Sequence, residues 1–294
     1  MIRIRARHLL PALFTSATLL IGYGGMQMVP SARSQAQAQS QPRTPHAKLA
    51  AATTTTTVSS QPIARTWTPP DPSKIPDGPE GESIRLGMRI FEETPRYAPN
   101  NVGNQLSCGS CHLAGGTMSY GIALVGAPGW FPMYSDRAKR DITLEDRIQE
   151  CVTRSENGTP LPQGGREVTA LISYMTWISQ QGAAEGITPV RGVDAKIPTL
   201  QGDATRGESI YKEQCSGCHG ADGAGVVGVL PALWGPGSYN NGAGMNRPGR
   251  MAPFVLHNMP QNNPGKLTPQ EAWDVSIYIA GKPHPQYNSA YDNY

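Results

Sequence analysis

Four of the five cysteines in this 294-residue chain fall into two copies of one short pattern, Cys108-Gly-Ser-Cys111-His112 and Cys215-Ser-Gly-Cys218-His219. C-x-x-C-H attaches a c-type haem: the two thiols add to the haem vinyl groups, and the adjacent histidine is set beneath the iron. A thioredoxin-like redox pair or half of a zinc site also uses C-x-x-C. Neither needs histidine as the very next residue, and here it follows twice. The sequence therefore predicts two covalent haem c groups, held by Cys108 and Cys111 and by Cys215 and Cys218. His112 and His219 are the expected axial ligands.

The opposite face of each iron needs a second ligand. In the second half, Met259 precedes Pro260, just ahead of the last helical pattern, and lies 40 residues beyond His219. A thioether with an imidazole favours a high reduction potential. Met245, Met251 and His257 compete for the role, since most methionines serve packing alone. In the first half, the residue 39 beyond His112 is the fifth cysteine, Cys151. It falls in a stretch from Thr143 to Gly158 that reads as a helix, with Thr143 and Asp146 at its start and Asn157-Gly158 at its stop. On that helix Arg147, Cys151 and Ser155 are four apart and share a face. A thiol beside cationic groups and iron is expected to ionise and bind as thiolate, which stabilises ferric iron. Two plainer roles stay open for it: a buried inert thiol packing as a small hydrophobe, or a bridge between two chains.

The elements that must position these groups repeat as well. A short helix precedes each motif (Gly81–Glu93 and Thr205–Gln214), and a Gly/Pro-rich loop follows it. An amphipathic, aromatic-bearing helix closes each half, at Arg166–Ser179 and Pro269–Ala280. The expected fold is mainly α, two tandem class I-like cytochrome c domains, at residues 80–181 and 203–286. A Pro/Gly-containing linker at 182–202 joins them, and 287–294 form a tail. With 33 glycines, 27 prolines and 38% hydrophobic residues, such domains need something besides side chains to fill their interiors. A haem is an apolar plate of the right kind.

Residues 1–38 read as an export signal. Arg3, Arg5 and Arg7 form a basic start, Leu9 to Gly22 is a short apolar run broken by Pro11, and Ala36-Gln37-Ala38 fits a cleavage site. The run is short for a membrane span, although an uncleaved anchor is the alternative. The periplasm is the expected location. Removing this segment takes away four arginines and no acids, so the formal charge moves from +3 to −1. Nothing global then argues for nucleic acid. Residues 39–79, rich in Ala, Gln, Thr, Ser and Pro, read as a flexible leader. Folded structure is expected to begin near Gly81, where Ile84, Met88 and Phe91 recur at helical spacing. Gly223-Ala-Gly-Val-Val-Gly228 matches a dinucleotide fingerprint but follows a haem motif instead of a strand, so it reads as a loop. Asp136, Lys139, Arg140 and Asp141 read as solvated surface, and His284 and the tail carry no readable chemistry.

Several stretches taken together resemble dihaem thiosulfate dehydrogenases. They are Gly87-Met-Arg-Ile-Phe-Glu-Glu-Thr94, Cys108–Leu113, Leu144-Glu-Asp-Arg-Ile-Gln-Glu-Cys151, Arg154-Ser-Glu-Asn-Gly158, Pro231-Ala-Leu-Trp-Gly235, Ser238-Tyr-Asn-Asn-Gly-Ala-Gly-Met245 and Asn258-Met-Pro260. The resemblance implies oxidation of two thiosulfates to tetrathionate at a haem ligated by His112 and Cys151, with Arg137, Arg147 and Ser155 at the substrate-binding positions. It also implies a second haem, with His219 and a methionine, that passes electrons to a soluble acceptor such as a small cytochrome c or high-potential iron–sulfur protein. Some relatives carry a lysine just before that methionine, able to compete for iron; here the position is Asn258. The rival readings are a non-catalytic dihaem electron carrier, the same enzyme working mainly as a tetrathionate reductase, and a haem enzyme coupled to a separate sulfur carrier.

Overall fold

The computed structural model describes residues 67–187 and 197–293, all within one unit spanning Val58–Tyr294. The export segment, most of the leader and the centre of the linker lie outside the described residues. The architecture is mainly α, with two helical halves. In the first half, α1 (Gly78–Glu92) is followed by the Cys108–His112 motif and by a hairpin of β1 (Met133–Ser135) and β2 (Arg140–Ile142). Then come α2 (Leu144–Arg154) and α3 (Arg166–Ala184). In the second half, α4 (Ala204–Ile210) runs through a π-type turn (Tyr211–Cys215) into a short helix (Ser216–His219). A long loop leads to α5 (Pro248–Asn258) and α6 (Pro269–Ala280).

Each half closes on a crossing of its first and last helices, and each crossing has a glycine at the point of contact. A Cβ on Gly87 of α1 would sit 1.9 Å from the Ala170 carbonyl oxygen on α3; one on Gly207 of α4 would sit 2.1 Å from that of Asp274 on α6. Both contacts are backbone against backbone, so any larger residue must push the helices apart. Aromatic rings flank the crossings: Phe91 lies 5.3 Å from Tyr174, and Tyr211 lies 5.7 Å from Tyr278. The Tyr174 hydroxyl donates to the Gly115 carbonyl at 2.9 Å and the Tyr211 hydroxyl to the Gly220 carbonyl at 2.6 Å. Each phenol thus ties the helix pair to the chain just beyond a C-x-x-C-H motif.

Several boundaries differ from those read in the sequence. The packed chain includes Trp67, well ahead of Gly81. Trp67 and Ile75 are buried, and the Trp67 indole N–H donates to Glu185 Oε2 at 2.7 Å. Two large apolar residues are enough to anchor a segment whose composition otherwise looks unstructured. Helix α3 continues past Ser179 to Ala184 because Gly182 packs beneath Val125 and Trp67. The tail is also fastened down. Asp292 pairs with Arg154 at 3.3 Å, and the Arg154 guanidinium lies 4.3 Å from the centre of the Tyr287 ring.

The two halves meet around the C-terminus of α2. The last carbonyls of a helix have no partners within it. Here Asn240, from the second half, donates its Nδ2 to Thr153 O at 2.8 Å and its backbone N–H to Arg154 O at 3.1 Å. Asn104 donates Nδ2 to Ser155 O at 2.9 Å and to Ser238 O at 3.0 Å. A second seam joins Asn258 to the first half, its Nδ2 donating to Tyr120 O at 2.9 Å, while the His257 and Tyr120 rings stack 4.4 Å apart.

Candidate active site

The two motifs present their histidines alike. The Nδ1–H of His112 donates to the Ile122 carbonyl at 2.7 Å, and that of His219 to the Pro231 carbonyl at 2.9 Å. With Nδ1 carrying the proton, Nε2 keeps its lone pair, which is the form a metal requires. Burial pushes the His112 imidazole down to about 4, and it also lowers His219. Both rings are therefore neutral at neutral pH. The paired thiols beside them are free of disulfides. Burial pushes Cys111 up to about 12 and Cys215 up to about 11. Cysteine thiols beside an oriented imidazole are the donor set for thioether attachment and axial ligation of haem. Among the described residues no group of three or more His, Cys, Asp or Glu side chains gathers as a zinc site would need.

Helix α2 carries the fifth cysteine. Its start is fixed by a reciprocal cap, Thr143 Oγ1 accepting from the Asp146 N–H and the Asp146 carboxylate accepting from the Thr143 N–H. Its stop is fixed by Asn157, whose φ of +49° leaves the helical region. Between them Arg147, Cys151 and Ser155 rise along one face, as their spacing requires. Arg137 reaches the same place from the tip of the β1–β2 hairpin. The two guanidinium groups meet on a residue the sequence reading passed over. Glu150 is only 3% exposed; it pairs with Arg147 and lies 3.6 Å from Arg137. Its spacing of three from Arg147 was the available signal.

At Cys151 the protein's own groups pull in both directions. In the protein alone, burial raises its thiol above the usual range, and this outweighs the lowering by Arg147. Glu150 and Glu156 also oppose ionisation, an effect invisible when only the arginines are counted. The arginines alone do not outweigh burial; a bound metal would favour the thiolate further. Glu156 is itself buried, with its carboxyl pushed up to about 7 by desolvation. It accepts from the Cys108 thiol at 3.5 Å. Negative charge on Cys151 disfavours ionisation of both Cys108 and Cys111, so the α2 face lies close to the first motif.

In the second half, Met259 is the C-cap residue of α5 and packs, half-buried, on that half's apolar core. Of its competitors, Met251 is buried within that core and His257 stacks on Tyr120, whereas Met245 is half-buried at the core's edge. Asn258 is 3% exposed, with its amide held by Tyr120 O and Phe254 O.

Two helical halves, each presenting a lone-pair-bearing histidine beside two cysteine thiols, define a two-domain cytochrome c with two haem c groups. Sequence families agree domain by domain: residues 96–184 match the SoxA/TsdA cytochrome c domain, and residues 202–279 match the cytochrome c oxidase cbb3-type subunit III family. The chain is 38% identical to the thiosulfate dehydrogenase of Allochromatium vinosum, over 75% of this chain and 85% of that one. It is 39% identical to that of Psychrobacter arcticus, over 74% of this chain and 68% of the relative. Among solved structures it is similar to thiosulfate dehydrogenase (TsdBA) from Marichromatium purpuratum, with a TM-score of 0.66 and 40% identity. That match covers 74% of this chain and spans about half, 49%, of the other. The chain belongs to the thiosulfate dehydrogenase family, and it is an enzyme of that family. Among the described residues no helix is long and apolar enough to cross a membrane.

Proposed function

We propose that this chain is exported to the periplasm and joins two thiosulfate ions as tetrathionate at a haem that His112 and Cys151 would hold. A second haem, which His219 and Met259 would hold, would supply the exit for electrons to a soluble acceptor. The observation that carries the reading is the face of α2, where the unpaired sulfur of Cys151 lies between Arg147 and Ser155, with Arg137 brought alongside through Glu150. An electron carrier has no use for such an arrangement.

Each residue has a task that follows from its chemistry. Thiosulfate is a small dianion, and guanidinium forks match sulfonate-like oxygens through paired, charge-assisted hydrogen bonds. Bringing two dianions together costs about 4 kcal/mol per pair of unit charges at ~4 Å and a surface-like dielectric. Arg137 and Arg147, with side chains 30% and 47% exposed, offset that repulsion while remaining open to a ligand. The haem groups supply one-electron oxidation. Cys151 divides the coupling into two steps. Its sulfur would form a bond to the sulfane sulfur of the first thiosulfate as two electrons are withdrawn, the one-electron acceptors being the haem groups that His112 and His219 would hold. The second thiosulfate then attacks that sulfane sulfur, tetrathionate leaves, and the Cys151 thiolate is restored. The seam of Tyr120, His257 and Asn258 joins the loop that holds His112 to the residue before Met259, and so ties together the two segments that would hold the haem groups.

Turnover with thiosulfate and an artificial acceptor, followed by mass analysis of the Cys151 peptide, tests this reading. The expected result is thiosulfate oxidation with a peptide heavier by one thiosulfate group, lost on reduction. An unmodified peptide from active enzyme contradicts the covalent step, and an inactive enzyme contradicts the function.

A further inference from the structure

Glu150 is a buried carboxylate without an obvious structural need. Its Oε2 accepts from Arg147, while Oε1 lies 3.6 Å from Arg137 Nη1, beyond hydrogen-bond reach, and finds no hydrogen-bond partner despite being buried. A buried acceptor left unmet is destabilising, and removing a negative charge from an anion site ought to favour anions. Both considerations argue against keeping a glutamate here, one residue before Cys151. Geometry argues for it. Arg147 projects from α2, and Arg137 from the tip of a hairpin. Two cations repel each other, so left alone they would splay. A carboxylate between them draws both inward, and because only one of its oxygens is fully engaged, Arg137 keeps free donors for an incoming anion.

We propose that Glu150 is a positioning residue that sets the separation of the Arg137 and Arg147 guanidinium groups, and so fits the site to a small divalent oxyanion of sulfur. The inference rests on the reading of those arginines as the thiosulfate clamp. Glu150 touches neither substrate nor iron; it acts through the two arginines.

Charge and geometry make opposite forecasts for two variants of the intact holoenzyme. Glu150→Gln removes the charge and keeps the shape. Glu150→Asp keeps the charge and withdraws it by about 1.5 Å, one carbon–carbon bond. If Glu150 positions the arginines, both variants raise KM for thiosulfate about tenfold, the worth of one charge-assisted hydrogen bond. The electron paramagnetic resonance signals of the haems then stay as in the wild type. If Glu150 merely tunes charge, Glu150→Gln lowers KM and Glu150→Asp matches the wild type; that pattern overturns the proposal. Loss of haem signals and of melting temperature in both variants, with KM unchanged in the surviving protein, assigns Glu150 to folding and overturns it too. A wild type that neither binds nor oxidises thiosulfate removes the functional reading and this inference together. An active wild type with unaffected variants removes the inference alone.

Discussion

Cys151 has Arg147 one turn before it and Ser155 one turn after, while burial pushes its thiol up. Arg147 is the cation its sulfur affects most directly: the thiolate form of Cys151 is the largest influence strengthening the Arg147 guanidinium's hold on its protons. Replacing Arg147 by Gln removes a charge-assisted fork, and about 1.5–3 kcal/mol of anion binding with it. The expected outcome is a ten- to hundredfold fall in kcat/KM for thiosulfate in steady-state assays, with haem content unchanged. Lys in its place restores charge without the fork, so recovery is partial. At this scale the sequence was informative, because C-x-x-C-H and the four-residue spacing from Arg147 to Ser155 are local patterns. Glu150 was within reach of the same logic, three residues from Arg147. Its second partner, Arg137, depends on a hairpin whose three-residue strands leave too short an alternation to read.

Helix α2 places those residues, and its two ends were unequally legible. The Thr143–Asp146 cap is written within four residues. The C-terminal carbonyls are instead covered by Asn104 and Asn240, far away in the chain, and no local pattern announces such partners. Asn240→Ala leaves Thr153 O unpaired in a buried seam and is expected to cost about 1–2 kcal/mol, read as a lower melting temperature. The helix crossings were anticipated as elements, yet the glycines at their contacts were not singled out, since close approach is visible only in three dimensions. In the second half the α4–α6 crossing is pinned by Asp274. Its carboxylate accepts from Arg206 Nε at 2.7 Å and Nη2 at 2.9 Å, from the Asp203 N–H at 2.7 Å and from Gln270 at 2.9 Å. Burial raises the acid's pKa, but these donors outweigh it, and the group lies below its ordinary 3.8. A depressed carboxyl stabilises the fold above its unfolded value and loses that contribution as pH falls through the folded one. Acid denaturation below about pH 4 is therefore expected to be steeper in the wild type than in Asp274→Asn, which is itself less stable by about 2–3 kcal/mol at neutral pH.

Across the whole molecule, the second half serves the first in two ways. It caps the helix that carries Cys151, and it joins the His112 loop through Tyr120. The internal repeat made the two-domain plan readable, because each half repeats helix, motif, loop and helix in order. The interlocking of the halves, and the return of the tail onto Arg154, rest on contacts too distant in sequence to leave a signature. Asn258 also gains meaning at this scale: a buried amide engaged at both hydrogens fastens the end of α5 to Tyr120 of the first half.

The metal environment of the Cys151 sulfur separates a sulfur-oxidising site from a plain electron relay, and electron paramagnetic resonance of the oxidised, haem-loaded protein reports it. The predicted spectrum contains one low-spin signal of histidine/thiolate type and one of histidine/methionine type, with only the first lost in Cys151→Met. Nitrogen or thioether ligation at both irons, with the Cys151 sulfur bound to neither, would contradict it.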